Sequence, residues 1–189
     1  VVESVADDFI SELLKVLARL DVERQVGPLI REEARTKVHR KVRDAVQQGC
    51  ELLTGGDNMP GPGFFFEPTV LKVTDDDLEI IKEETFGPVL PVRIVRDEEE
   101  AIKLANDSDY GLGATVWTSD PVKGEAIARR LEAGNVWINE CGRTINCGEL
   151  FQGWKCSGIA SSSRRLSLFL KKRTIVNNRS CQARPHWFK

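Results

Sequence analysis

Val5, Phe9, Leu13, Val16, Leu17 and Leu20 recur at steps of three and four residues, which predicts an amphipathic helix over residues 3 to 20. After the break Val26-Gly27-Pro28, the stripe Ala34, Val38, Val42, Ala45 and Val46 predicts a second helix over residues 31 to 48, stopped by Gly49. CELLTGG reads as a short strand ended by Gly55-Gly56, and DNMPGPG as a loop, because Pro and Gly break both periods. Strand-like and helical stretches then alternate. FFFEPTVLKV and PVLPVRIV read as strands, and DEEEAIKLANDSD as a helix opened by Asp97 with Glu100 at capping-box distance. GLGATVWTS reads as a strand, and DPVKGEAIARRLEAG as a helix with Asp120 as N-cap, Pro121 at its first position and Gly134 as its stop. NVWIN is a further short strand. This alternation predicts an α/β fold: an open, mostly parallel sheet with flanking helices.

Composition narrows the function. Hydrophobic residues at 41% and charged residues at 30% of a 189-residue chain suffice for a packed core, which argues against disorder. A net charge of −2 without a large basic block gives no footprint for nucleic acid or an anionic membrane. The basic RRLSLFLKKR is interleaved with apolar residues and reads as a solvated or subunit-facing element. No apolar run is long enough to span a bilayer as a helix. VVESVADDFI carries no basic n-region and no Met, so a processed product or a fragment is expected. Cys50, Cys141, Cys147, Cys156 and Cys181 are odd in number and lack CxxC spacing, which suggests neither a zinc site nor a disulfide framework. A reducing compartment follows: the cytoplasm, with the mitochondrial matrix left open. His39 and His186 are poorly placed to serve a Cys–His or Ser–His pair. GxGxxG after a strand, GxxxxGK[ST] and GxSxG are all missing.

Against this plain background IIKEETFGPVLPV stands out, with Glu83, Glu84 and Phe86 at the mouth of an apolar strand. Ends of the strands WIN and VWTSD are further candidate ligand positions, since open α/β sheets bind ligands outside their strand carboxyl ends. The long aromatic loop ECGRTINCGELFQGWKCSG after Asn139 reads as functional.

KEETFGPVLPV, EEAIKLANDSDYGLGATVWTSD, LEAGNVWIN and FQGWKCSG together resemble the C-terminal part of NAD(P)-dependent aldehyde dehydrogenases. VGPLIREEA, GCELLTGG and GFFFEPTVL fit the same family in order and spacing, so the resemblance covers about residues 1 to 159. It implies that residues 1–168 are an incomplete catalytic domain, that 169–189 form an oligomerisation strand and tail, and that the N-terminal cofactor domain is absent. It implies NAD or NADP as cofactor. Glu84 would accept the hydroxyls of the nicotinamide-side ribose, since one ionised carboxylate offers acceptors for two neighbouring hydroxyls. Phe86 would pack near the nicotinamide ring. Phe151 would line the aldehyde tunnel, with Leu112 bordering the same site. The family's nucleophilic Cys lies upstream of the segment that residues 1–9 resemble, so no catalytic residue is assigned and the chain alone is expected to be inactive. Small-molecule aldehyde and a homo-oligomeric partner are implied; nucleic acid and membrane are not. IASSSRRLSLF and Gln152 depart from the family pattern, which leaves a truncated or diverged non-catalytic interaction module as the alternative. A weaker alternative is an acyl-phosphate or acyl-CoA reductase of the same superfamily.

Overall fold

The computed structural model describes residues 1–141, 153–158 and 173–178. They belong to two compact units, Val1–Ala101 and Ile102–Lys189.

The first unit opens with a 3-10 turn, Glu3–Val5, and helix α1, Ala6–Leu17. This is shorter than the apolar period suggests. Asp21 then caps a π-helical turn, Val22–Val26, accepting from the Arg24 amide at 3.2 Å. Helix α2, Glu32–Gln47, buries Val38, Val42 and Ala45 of the predicted stripe, but Val46 is exposed and Lys41 takes a place on the buried face. It lays Val38, Val42 and Ala45 against Phe66, Leu71, Val73, Leu78 and Ile80, all less than 9% exposed. Burial of each large side chain in this set stabilises the unit by about 1.5–3 kcal/mol.

Below α2 lies a three-stranded sheet, β1 (Glu51–Thr54), β2 (Thr69–Val73) and β3 (Val89–Arg93), in that order. β1 runs antiparallel to β2, and β2 parallel to β3. The strand expected over FFFEPTVLKV is confined to Thr69–Val73. Pro68 has no amide proton to give a ladder, so pairing starts after it. Phe66 is still fully buried and bridges Asn58. Gly55 is required where β1 ends: its φ is +70°, and a Cβ there would lie 2.4 Å from the Pro68 carbonyl oxygen. Helix α3 (Glu79–Lys82) connects β2 to the segment before β3.

Helix α4, Glu98–Asn106, leads into the second unit. Asp97 Oδ1 accepts from the Glu100 amide at 2.9 Å, half of the expected capping box. The reciprocal half shifts by one residue: Glu100 Oε2 accepts from the Arg96 amide and Nε, both at 2.9 Å. In the second unit β4 (Tyr110–Gly111) pairs antiparallel with β7 (Trp154–Lys155). β5 (Gly113–Val116), β6 (Asn135–Ile138) and β8 (Thr174–Asn177) form a parallel sheet in the order β5-β6-β8. GLGATVWTS is thus two short strands of different sheets, with Leu112 between them.

Helix α5, Pro121–Arg130, begins as predicted: Asp120 Oδ1 accepts from the Val122 and Lys123 amides at 2.9 and 3.0 Å. It ends earlier than Gly134. Leu131 turns to extended backbone, and Leu131 and Ala133 enter the core with Val116, Ala128, Val136 and Ile138. Arg173 satisfies the carbonyls released at the helix end, donating to Ala128 at 3.2 Å and to Arg129 and Leu131. Its guanidinium also lies 4.5 Å from the Trp154 ring centroid. A sequence stop signal could not reveal a cap supplied from a residue so far along the chain.

Candidate functional site

Ala34, Lys37, Val38 and Lys41 stand on one face of α2, at the three- and four-residue steps that make neighbours on a helix. Glu84, Thr85 and Phe86 face them from the segment between α3 and β3. That segment leaves the helix at Glu83, where the backbone becomes extended. It then folds tightly, the Gly87 amide donating to Thr85 O at 2.9 Å and the Val89 amide to Gly87 O at 2.8 Å. Gly87 makes this fold possible by close approach: a Cβ there would stand 2.7 Å from Val38 Cγ2. Pro88 O accepts from the Thr69 amide at 2.9 Å and ties the segment to the start of β2.

Between these two walls is a cavity of about 130 Å³. Phe86 is 83% exposed, an expensive disposition for a phenyl ring that burial would stabilise by about 1.5–3 kcal/mol. The Glu84 side chain is also exposed, while its backbone carbonyl accepts from Lys41 Nζ at 3.0 Å. Thr85 Oγ1 is buried with no hydrogen-bond partner among the described residues. An exposed phenyl ring and an exposed acidic residue therefore line one concavity, while the Thr85 hydroxyl oxygen is closed to solvent.

An ionic cluster anchors the same region. Arg40 grips Glu79 bidentately, Nη1 to Oε2 at 2.9 Å and Nη2 to Oε1 at 2.8 Å, and reaches Asp44 Oδ2 at 2.7 Å. Those hydrogen bonds from Arg40 hold the Glu79 carboxyl down to about 2. Lys41 Nζ lies 3.6 Å from Glu79 Oε1.

Of the predicted site residues, Glu84 and Phe86 thus share one cavity in the first unit. Leu112 belongs to the second unit, where it is 42% exposed and lines another cavity of about 240 Å³ with Asn106, Ser108, Tyr110 and Glu132. Its carbonyl accepts from Asn135 Nδ2 at 2.7 Å. Phe151 lies outside the described residues, as do Cys147 and Cys181. Cys50 is buried, and that burial, reinforced by Asp75, pushes its thiol up, away from the thiolate a nucleophile needs. His39 sits 3.6 Å from Asp57 Oδ1 and beside Phe66, with no cysteine among the described residues in hydrogen-bond contact. No cluster able to hold a metal exists among the described residues.

At the strand end WIN, Asn139 spends its side-chain amide and its carbonyl on neighbouring chain. Asn139 adopts a left-handed φ of 53° and receives the Thr118 amide on Oδ1 while donating Nδ2 to Thr118 O, both at 2.8 Å. Its carbonyl accepts from Asn178 Nδ2 at 3.0 Å. The residue stitches the ends of the parallel strands together. Two residues escaped the sequence reading, Lys37 and Lys41. A usable signal existed for Lys41, a charge placed within the apolar stripe of α2.

The chain matches the profile of the Aldehyde dehydrogenase family over residues 1–174. The chain belongs to the aldehyde dehydrogenase family. Among curated relatives of this aldehyde dehydrogenase family chain, betaine aldehyde dehydrogenase of Bacillus subtilis (strain 168) is 42% identical over 148 residues, covering 73% of this chain and 30% of its own length. Succinate-semialdehyde dehydrogenase [NADP(+)] of Deinococcus radiodurans is 39% identical, covering 84% of this chain and 34% of its own. The Mycobacterium tuberculosis aldehyde dehydrogenase complexed with NAD+ superposes with a TM-score of 0.77 at 36% identity, over 84% of this chain and 34% of that one. An NAD+ complex of the Bacillus cereus aldehyde dehydrogenase gives 0.78 at 33% identity, over 84% and 33%. The chain therefore spans about a third of the length of these relatives. The expected α/β fold with parallel strand pairing is that of the aldehyde dehydrogenase structures it matches.

Proposed function

We propose that this chain forms the nicotinamide-side wall of an NAD(P)-dependent aldehyde dehydrogenase that oxidises an aldehyde to a carboxylic acid through a cysteine thiohemiacetal. The observation that carries the proposal is the pairing of an exposed phenyl ring, Phe86, with the exposed carboxylate of Glu84 on one cavity. At about 130 Å³ that cavity is smaller than the ~300–1,000 Å³ of whole small-molecule sites. It suits one end of a dinucleotide. Glu84 has lone pairs for two ribose hydroxyls, and Phe86 offers a flat apolar face. Lys37 lines the same cavity and adds positive charge opposite Glu84.

Nicotinamide, when bound, supplies the hydride acceptor. The residues described here bind and orient. Glu84 would hold the ribose through charge-assisted hydrogen bonds, and Phe86 would pack near the nicotinamide ring. No described cysteine is assigned as nucleophile. Cys50 is buried with a raised thiol, which sets it apart from the thiolate a nucleophile needs. Phe151 and Leu112 are proposed to contact the aldehyde, and homo-oligomeric assembly in a reducing, cytoplasmic compartment completes the reading.

The test is formation of reduced nicotinamide by the full-length protein with an aldehyde and NAD+ or NADP+. Aldehyde-dependent reduction supports the proposal. Its failure across a panel of aldehydes with both cofactors, on folded protein, favours the non-catalytic interaction module instead.

A further inference from the structure

Lys41 is a lysine buried to 2% exposure in the apolar face of α2, between Val38 and Val42. Burying an ammonium costs several kcal/mol of hydration unless acceptors replace the water. Two acceptors are provided: the Glu84 backbone carbonyl at 3.0 Å and Glu79 Oε1 at 3.6 Å. Glu79 is already held on both oxygens by Arg40, so it cannot swing away to take Lys41 for itself. The closer acceptor of the lysine is therefore the backbone of the residue whose side chain faces the cavity. Three residues away, Val38 meets Gly87 across a gap that admits no Cβ. The segment Glu84–Gly87 is thus seated on α2 at both ends, by one hydrogen bond from a cation and one close packing contact.

We propose that Lys41 is a positioning residue for the cofactor site, fixing through the Glu84 carbonyl the backbone from which Glu84 and Phe86 project. This rests on the proposed function above, since it requires Glu84 to hold the cofactor. The alternative it displaces is that Lys41 only fills the core. Core filling would change stability alone. Positioning requires that the effect of Lys41 on cofactor binding run through Glu84.

The experiment is calorimetric titration of the full-length protein with NAD+ and with NADP+, using Lys41→Met, Glu84→Ala, the double variant and Lys41→Arg. Loss of a hydrogen bond to a cation weakens cofactor binding by about fivefold in Lys41→Met, and loss of the ribose acceptor by about tenfold in Glu84→Ala. The double variant binds within about twofold of Glu84→Ala, because the two act on one contact. Lys41→Arg, which keeps a charged donor, stays within about twofold of the parent protein. Should Lys41→Met fail to fold, Lys41→Gln, too short to reach the carbonyl, enters the same cycle. Unchanged affinity in Lys41→Met, or losses that multiply in the double variant, overturns the positioning role. Unchanged affinity in Glu84→Ala overturns the cofactor-site reading itself and the role of Lys41 with it.

Discussion

Asn139 and Glu84 both stand where a regular element gives way to irregular chain, and the structure spends their polar atoms in opposite ways. Asn139, at the end of β6, commits both ends of its amide to Thr118 and its carbonyl to Asn178. Glu84, after α3, commits only its backbone carbonyl among the described residues, to Lys41, and leaves its carboxylate exposed beside an exposed Phe86. A polar residue at an element end is thus not evidence of a site until its hydrogen bonds are counted. Inward use gives stability; outward use leaves capacity for a ligand.

The contrast can be broken by substitution. The largest effect on stability is expected from Asn139→Ala, which removes two side-chain hydrogen bonds and leaves a non-glycine residue with a left-handed φ. A loss of about 3 kcal/mol follows, read as a shift in the denaturant midpoint, with cofactor affinity of the folded protein nearly unchanged. Lost affinity with full stability would abolish the distinction between the two positions. Gly87→Ala should cost about 2 kcal/mol, since its methyl group has to displace Val38 or the segment itself. It should also weaken cofactor binding, because the displaced segment carries Glu84. The smallest effect is expected from Glu79→Gln. Glu79 is held at about 2 by Arg40, below its usual 4.5, so its contribution is complete above 4.5 and is lost as pH falls toward 2. Its side chain is 39% exposed, so screening keeps that contribution under about 1 kcal/mol. Acid titrations of the parent and Glu79→Gln should differ fully above that window, draw together through it and converge below it.

The sequence made the alternation of elements legible because apolar spacing decides which face is buried. α2 and the start of α5 fall where stripe and caps place them. The end of α5 does not, because its last carbonyls are satisfied by Arg173 from a distant part of the chain. Glu84 and Phe86 stand out in the sequence as a carboxylate and a phenyl group at the mouth of an apolar strand, but their proposed roles at a cofactor come from family resemblance, since such a pair has no periodicity of its own. The burial of Lys41 could be read from its place in the apolar stripe, but its partner could not, because a helical stripe reports which face is buried and not which backbone carbonyl waits above it. The hydrogen bonds of Asn139 were not legible either, because the end of a strand does not report which neighbouring chain its side chain will bond.

The central claim, that the outward-facing carboxylate of Glu84 holds the cofactor, is tested most directly by titrating NAD+ and NADP+ into the parent protein and Glu84→Ala while following the unfolding midpoint of each. The account predicts cofactor binding weakened by about tenfold with an unchanged midpoint. Equal affinity in the two proteins, or a loss of affinity matched by a loss of stability, would contradict it.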